Sequence, residues 1–192
     1  QLWMAENLKV THYNDGSEIP YASDGDGGSL SAGAYSFYNN DPLNADVYGN
    51  LYNWYTVDDD RDVCPNGWHV PSDEEFKELE MFLGMSEEEA NSTGYRGTDE
   101  GSKLAGNSNL WNGGDLENNP EFGTSGFNGF PAGYRSFSGG YYFSMGTSGF
   151  FWSFSELGSN SAWKRLLNYD YSSVHRSFEY KQIGYSIRCL GD

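Results

Sequence analysis

From about residue 95 onward, apolar residues no longer recur at helical spacing. This half of the chain consists of short aromatic runs, such as Tyr141 to Phe143 and Phe150 to Phe154, separated by stretches rich in Gly, Asn and Ser. Short runs of Tyr, Phe and Trp bounded by turn residues are typical of strands. Residues 162–169 and 172–176 are the best strand candidates. The second half therefore predicts short antiparallel strands joined by long loops.

The clearest helical signal begins at Ser72. Ser72 and Glu75 have the spacing of a capping box, in which each side chain accepts a hydrogen bond from the other residue's backbone. Phe76 and Leu79 follow at helical spacing, and Gly84 is a suitable end. The sequence predicts a helix from Ser72 to about Gly84.

Ser86 and Glu89 repeat the capping-box spacing and predict a second, short helix. Two helices followed by short antiparallel strands in a loop-rich body define an α+β fold. The sequence contains neither an internal repeat nor a linker, and its 192 residues are an ordinary length for one domain. We expect residues 1–192 to form a single domain.

The charge balance restricts the partners. Lys and Arg total 11 and Asp and Glu total 28, which gives a net charge of −17. Like charges repel, so we expect no nucleic-acid partner. No stretch is apolar for long enough to cross a bilayer, so we expect no membrane insertion by this domain. Aromatic residues make up 17% of the chain, and disordered chains are poor in them, which indicates a folded protein with an aromatic core.

The two cysteines, Cys64 and Cys189, lie far apart in the sequence. A cross-link between them would stabilise the fold by about 4–5 kcal/mol, because it constrains most of the unfolded chain. The alternative is two free, buried thiols. An acidic composition rich in Tyr, Asn and Gly suggests an exported protein, and disulfides persist outside the cytoplasm.

Motifs in order along almost the whole chain resemble the Fibrobacter succinogenes major paralogous domain. These motifs are Trp3 to Leu8, Gly49 to Tyr55, Cys64 to Ser72, Gly101 to Leu104, Gly133 to Arg135, Trp152-Ser153, Ala162-Trp163 and Ser186 to Cys189. The resemblance implies an exported or surface-anchored bacterial module, such as a lipoprotein. It also implies the C-type-lectin-like fold group, which includes the formylglycine-generating enzymes. In that group a cysteine of the early helical region pairs with one in the last strand, which implies a Cys64–Cys189 disulfide.

A second resemblance concerns the end of the chain. Gly184-Tyr185-Ser186-Ile187-Arg188 is similar to the last segment of C-type-lectin-like proteins that diversity-generating retroelements vary. Residues 153–180 are rich in Ser, Asn, Tyr, Phe, Asp and His, which randomised adenine-rich codons can encode. Ordinary members of the family carry much the same composition there, so both interpretations stay open.

The sequence gives little support for an enzyme. Its histidines are His12, His69 and His175, and it lacks the Gly-x-Ser-x-Gly motif of serine hydrolases. It also lacks the local cysteine pair that formylglycine-generating enzymes use with copper. With 28 acidic residues, carboxylate pairs occur at every spacing by chance. We therefore expect a non-catalytic protein, with a hydrolase as the weakest alternative.

Two acidic loops are candidates for a structural calcium ion. One contains Asp24 and Asp26 within a glycine-rich stretch, and the other contains the acidic residues Asp58, Asp59, Asp60 and Asp62. Calcium prefers clustered oxygen ligands, but neither loop completes an EF-hand pattern. The Glu-Pro-Asn and Gln-Pro-Asp triplets of calcium-dependent lectins are also missing. The alternative is a solvated acidic loop.

Ligand binding is the function that the composition favours, because Tyr and Trp supply rigid contact area and Ser, Gly and Asn supply adaptable hydrogen bonds. Side chains alternate between faces along a strand. Trp163, Arg165 and Leu167 match the family pattern and are expected to face inward, with Tyr169 on the same side. The residues expected to form the binding surface are Lys164, Leu166 and Asn168, extended by Phe154, Glu156, Asn160, Tyr171, His175 and Phe178. The alternative is that most aromatic residues build the core.

The sequence thus predicts an extracellular or cell-surface adhesin-type module that binds a protein receptor or a glycan. A carbohydrate-binding module of a polysaccharide-using surface system and a structural surface module are the alternatives. The oligomeric state is left open by the sequence. If the binding surface is correct, Phe154, Tyr171, His175 and Phe178 must converge on one exposed patch.

Overall fold

The computed structural model describes residues 1–23 and 30–192. Within them lie ten strands: β1 (Tyr35–Ser36), β2 (Leu51–Tyr52), β3 (Trp68–His69), β4 (Gly94–Arg96), β5 (Ala132–Arg135), β6 (Tyr142–Met145), β7 (Ser148–Glu156), β8 (Ser161–Asn168), β9 (Tyr171–Tyr180) and β10 (Leu190–Gly191). The α-helices of the same residues are α1 (Pro42–Tyr48), α2 (Trp54–Val57), α3 (Asp73–Phe82), α4 (Glu87–Asn91), α5 (Glu100–Leu104) and α6 (Asp115–Asn118). Short 3₁₀ turns span Tyr38–Asn40 and Ser108–Leu110.

A six-stranded sheet in the order β4-β9-β8-β7-β5-β6 forms the centre of the fold. Its strands pair antiparallel except β5 and β7, which run parallel and meet at Gly133 and Gly149. Two small two-stranded sheets pair β1 with β2 and β3 with β10. The predicted α+β class and the predicted strands at 162–169 and 172–176 are confirmed, the latter two as β8 and β9.

Both predicted helices are present as α3 and α4, and both carry the predicted capping box. In α3, the Ser72 hydroxyl accepts a hydrogen bond from Glu75 N at 3.2 Å, and the Glu75 carboxylate accepts one from Ser72 N at 2.7 Å. The prediction of only two helices is wrong, because α1, α2, α5 and α6 are helical as well. Each of these has only four to seven residues, so no hydrophobic period develops along it.

Side chains from both faces of the central sheet are buried. Phe150 and Trp152 of β7 point into a core with Tyr185 and Ile187. Phe151, between them in sequence, points into a second core with Phe76 of α3. Consecutive residues of a strand face opposite sides, so β7 contributes to both cores. The core is aromatic, as the composition predicted.

Cys64 and Cys189 form a disulfide, as predicted, and both residues are buried. The bond joins the loop before β3 to the residue before β10. These two strands also pair with each other, Leu190 opposite His69. The end of the chain is therefore held by a covalent bond and by a strand pair. Among residues 1–23 and 30–192, no helix is both long and apolar enough to cross a membrane.

Candidate functional site

One face of the central sheet carries a row of aromatic and apolar side chains, here called the aromatic patch. Its members are Tyr95, Tyr134, Phe143, Phe150, Leu166, Tyr171 and His175. The strand register places Tyr95 opposite His175, His175 opposite Leu166, and Leu166 opposite Phe150. Since directly paired residues point to the same face, the patch crosses the sheet from β4 to β6.

Two tyrosines form one end of the patch. The rings of Tyr95 and Tyr171 stack with centroids 4.0 Å apart, and Tyr95 meets the His175 ring edge-on at 4.6 Å. Tyr95 is 39% exposed and Tyr171 is 47% exposed. Each tyrosine packs on the other and still has part of its surface exposed to solvent.

The other end of the patch is formed around Tyr134. Its ring lies 5.5 Å from Phe143 and 5.3 Å from Phe150, measured between centroids. Phe143 is 46% exposed, whereas Phe150 is nearly covered and stacks on the buried Tyr185 at 4.8 Å. The patch is thus open at both ends and anchored in the core at its middle.

A lysine lies beneath the middle of the patch. Lys164 is only 5% exposed, and its Nζ is 5.0 Å from the centre of the Phe150 ring and 5.8 Å from that of Tyr185. Among the described residues, neither a hydrogen bond nor an ion pair reaches this ammonium group. Burial lowers the pKa of Lys164 to about 8, and the charge of Glu179 acts in the opposite direction. At pH 7 the group is mostly protonated.

His175 is the second titratable group in the patch. Its Nδ1 is enclosed and has no hydrogen-bond partner in the described part of the chain. Burial lowers the pKa of His175 to about 4, and the positive charges of Lys164 and Arg96 lower it further in the same direction. The imidazole is therefore neutral at pH 7, and Lys164 carries the positive charge on this face.

The residues predicted to form one binding surface are divided between the two faces of the sheet. Tyr171 and His175 belong to the aromatic patch, but Phe178 lies on the opposite face, where its ring meets Trp163 edge-on at 6.0 Å. Phe154 borders a separate cleft of about 300 Å³ beside His69 and Glu75. The prediction of a single patch from these residues is wrong. His175 and Phe178 are three positions apart on one strand, an odd spacing that puts them on opposite faces.

Three residues of β8 were expected to point outward. Lys164 does lie on the face opposite Arg165, but it is buried, so its predicted exposure is wrong. Leu166 is half-buried within the aromatic patch. Asn168 is also half-buried, and its side chain accepts a hydrogen bond from Asp170 N at 3.0 Å and donates one to Ser148 Oγ at 3.3 Å. Asn168 therefore shapes the turn between β8 and β9.

The remaining two predicted ligand residues lie near the end of β7. Glu156 forms an ion pair with the buried Lys181, so its carboxylate already has a partner. Asn160 is exposed, and its carbonyl accepts a hydrogen bond from Lys181 N at 3.0 Å. Both residues lie outside the aromatic patch and fix the position of Lys181.

Only one of the two acidic loops, the one containing Asp58 to Asp62, lies within the described residues. Asp24 and Asp26 lie outside the described residues. In the second loop, Arg61 donates to both oxygens of Asp59 at 2.7 Å and thereby holds the pKa of Asp59 below its usual range. The other acids of this loop are the exposed Asp58, Asp60 and Asp62. Within residues 1–23 and 30–192, His, Cys, Asp and Glu do not form a group of three that could hold a metal ion.

The patch includes four residues that the sequence did not single out. Tyr95 lies on a strand of three residues, too short to show alternation. Tyr134, Phe143 and Phe150 belong to aromatic runs that predict strands, but their shared face depends on the parallel contact between β5 and β7. The register between these two strands cannot be read from the sequence of either strand alone. For these four residues the only signal in the sequence was that the side chain is aromatic.

A comparison with protein families gives one match. The family model described as the Fibrobacter succinogenes major domain matches residues 1–190, almost the whole chain. Searches of curated proteins and of solved structures gave no match.

Proposed function

The chain belongs to the Fibrobacter succinogenes major domain family, and we propose that it is a non-catalytic module that binds a protein ligand through the aromatic patch. The observation that carries this proposal is the row of side chains across the sheet, which is half-exposed at both ends, with Tyr95 and Tyr171 at one end and Phe143 at the other. Tyr and Phe are among the residues enriched at protein interfaces, where they supply large contact areas. Tyr is also common among interface hot spots.

The width of the patch favours a protein over a glycan. The patch crosses all six strands of the sheet, and adjacent strands lie about 4.8 Å apart, so its width across the strands is roughly 24 Å. A typical protein interface covers about 800 Å² on each partner, which corresponds to a surface of roughly this width. One or two sugar rings would cover only one end of such a row.

A glycan remains the second candidate because of the stacked pair Tyr95 and Tyr171. Their rings are 4.0 Å apart and inclined by 22°, which makes a small, flat aromatic platform. A sugar ring packing on this platform would need no other part of the patch. Binding by this pair alone would separate a carbohydrate-binding function from the proposed one.

The polar groups of the patch are poorly placed for catalysis. The Nδ1 atom of His175 is enclosed, and burial keeps the imidazole neutral by lowering its pKa to about 4. Lys164 has neither a hydrogen-bond nor an ion-pair partner among the described residues, so no neighbouring group is placed to relay a proton to or from it. A general acid or base must reach a proton on its substrate. These contacts support a binding function rather than an enzymatic one.

We further propose that the fold is C-type-lectin-like and that the module is exported or displayed on the bacterial cell surface. The Cys64–Cys189 disulfide supports this location, because structural disulfides persist in oxidising compartments. Its position, between an early loop and the end of the chain, is also that of the disulfide implied by this fold group. A calcium ion bound by the loop containing Asp58 or the one containing Asp24 remains part of the proposal.

A cell-binding assay tests the function. Fluorescently labelled wild-type protein is applied to bacterial and animal cells, with and without chelator, and to a glycan array. We expect binding that protease treatment of the cells removes and that periodate treatment leaves intact. Tyr171→Ala and Phe143→Ala should each weaken it at least about tenfold, the loss that a hot-spot residue contributes.

Phe82→Ala is the matched control, because Phe82 is 86% exposed and lies on α3, away from the patch. It should bind as the wild type does. Binding that resists protease, appears on the array and depends on Tyr95 and Tyr171 but not Phe143 would favour a glycan. Binding unaffected by Tyr95→Ala, Tyr171→Ala and Phe143→Ala would refute the proposal.

A further inference from the structure

We infer that Lys164 is the charged anchor of the aromatic patch and that its ammonium group pairs with an Asp or Glu carboxylate of the bound protein. This inference rests on the proposed function and adds the chemistry of the ligand. It follows from three observations on the described residues: the missing partner of Lys164, the position of its Nζ, and the charges around it.

Other buried cations of the sheet have acceptors, and Lys164 differs from them. Arg165 donates to Asp73 at 2.7 Å and to Glu80 at 2.6 Å. Lys181 pairs with Glu156. Lys164 is as buried as these residues, but its neighbours within the described chain are the Phe150 and Tyr185 rings. A buried charge without a partner destabilises a fold, so its presence suggests that a ligand supplies the partner.

The ammonium group is close enough to the surface to be reached. The side chain is 95% covered, yet Nζ is not among the fully enclosed atoms without a partner, whereas Nδ1 of the neighbouring His175 is. The stem of Lys164 is therefore buried and its tip keeps a contact with solvent. A carboxylate at the centre of the patch can meet Nζ while neighbouring ligand groups pack on the rings.

The charges around Lys164 leave it only partly neutralised. Glu179 attracts the ammonium, but its carboxylate is beyond ion-pair distance. Arg96 and Lys164 both act on His175 as positive charges, and His175 itself is neutral. Tyr134 and Tyr185 face the same region, and burial raises the pKa of both phenols. The middle of the patch thus offers one desolvated positive charge, which favours a single carboxylate.

A random peptide library displayed on phage provides the probe. Peptides are selected on the wild-type protein, and those lost on Tyr171→Ala are kept as patch-dependent. We expect the kept peptides to contain an Asp or Glu whose change to Asn or Gln weakens binding at least about tenfold, which is 1.4 kcal/mol. One such peptide is then synthesised in two versions, one with the acidic residue and one with Asn or Gln in its place, called the amide peptide. The affinity of each version is measured for the wild type, Lys164→Met, Lys164→Arg and the exposed control Lys9→Met.

A double-mutant cycle decides the result. Lys164→Met should weaken binding of the acidic peptide by about the same factor as the change to the amide peptide weakens binding to the wild type. The affinity of Lys164→Met for the amide peptide should be no lower than either of these. Lys164→Arg should retain most of the affinity and Lys9→Met all of it. Lys164→Met is also expected to unfold at a higher urea concentration than the wild type, since it removes an unpaired buried charge. For the wild type with the acidic peptide, affinity should fall as the pH rises above about 8, where Lys164 loses its proton.

The possible failures are distinguishable. Patch-dependent peptides whose affinity does not depend on an acidic residue, or whose losses with Lys164→Met are additive, would overturn the inference and leave the proposed function standing. A library that yields no peptide dependent on Tyr171 would count against both the inference about Lys164 and the proposed function. If Lys164→Met does not fold, the amide peptide and the pH series on the wild type still decide between these outcomes.

Discussion

Asp73 at the start of α3 lies 2.7 Å from Arg165 in the middle of β8, and both side chains are buried. The same carboxylate accepts a hydrogen bond from Arg176 of β9 at 2.6 Å. Glu80, two turns further along α3, accepts from Arg165 and from Arg96 of β4, each at 2.6 Å. These bonds fix the helix across three strands of the sheet, on the face opposite the aromatic patch.

Asp73→Asn should destabilise the protein by about 3–5 kcal/mol, the usual cost of removing one partner from a buried ion pair. The asparagine would keep one acceptor oxygen but no charge, so Arg165 and Arg176 would lose the carboxylate that they share, and the amide nitrogen would face their guanidinium groups. Urea unfolding followed by tryptophan fluorescence measures the loss. Glu74→Gln is the control, because Glu74 is largely exposed and its ion pair is worth less than about 1 kcal/mol. Equal effects of the two substitutions would contradict this account of the network.

The same carboxylate predicts acid unfolding in a defined pH range. Burial alone would raise the pKa of Asp73, but hydrogen bonds and charges from Arg176 and Arg165 outweigh it and lower the pKa to about 2. A lowered carboxyl pKa stabilises the fold above the unfolded value of 3.8, and this contribution is lost as the pH falls toward 2. Urea midpoints measured between pH 2 and 5 should fall steeply for the wild type. Asp73→Asn should show a shallower fall, and a parallel curve would refute the assignment.

Local and distant features differ in how well the sequence predicts them. Helix α3 was predicted because its capping box lies within four residues, Ser72 to Glu75. The bond between Asp73 and Arg165 joins residues 92 positions apart, and no local pattern marks such a pair. The fold class follows from local signals, whereas the buried charge network depends on packing.

The candidate site shows the same limit within a single strand. Alternation along β8 correctly separated Lys164 from Arg165, but it predicted that Lys164 would be exposed. The ring of Tyr185, from a segment 21 positions away in sequence, packs near Lys164 and helps to cover it. Strand periodicity gives the face on which a residue lies, and the segments packed on that face decide its exposure.

Reduction of the disulfide should lower stability by about 4–5 kcal/mol, because Cys64 and Cys189 are separated by 125 positions and their bond constrains the unfolded chain. The measurement is urea unfolding with and without reductant, compared with the Cys64→Ser/Cys189→Ser double variant. Both sulfurs are buried, so the folded protein should resist reductant until urea opens it. Rapid alkylation of both cysteines in native buffer with reductant would contradict this expectation.

Arg188→Lys should destabilise the fold by about 3 kcal/mol or more. Arg188 is fully buried and donates to the Asn7 side chain and to the carbonyls of Met4, Phe127 and Asn128. A lysine has one nitrogen and would leave several of these acceptors without a donor. Thermal unfolding monitored by circular dichroism measures the loss. Arg61→Lys, at an exposed ion pair with Asp59, should change stability by less than about 1 kcal/mol.

Two histidines should affect stability with opposite dependence on pH. His69 lies between Asp192 at 2.7 Å and Glu75 at 3.0 Å. Burial alone would lower the pKa of His69, but these two carboxylates raise it above 6.5. Burial lowers the pKa of His175 to about 4, and the positive charges of Lys164, on the same face, and of Arg96, on the opposite face, act in the same direction. Protonation is therefore favoured by the fold at His69 and disfavoured at His175.

The sign of each effect follows from which state binds more protons. The contribution of His69 is fully present below pH 6.5 and is lost as the pH rises through its higher folded pKa. At His175 the unfolded chain binds the extra proton, so stability falls as the pH drops from 6.5 toward 4. His69→Gln should flatten the stability curve above pH 6.5, and His175→Gln should flatten it between pH 4 and 6.5. Urea midpoints across pH 4 to 8 measure both slopes, and His12→Gln is the control. If His69→Gln changed the slope only between pH 4 and 6.5, the surroundings assigned to His69 would be wrong. If His175→Gln changed it only above pH 6.5, those assigned to His175 would be wrong.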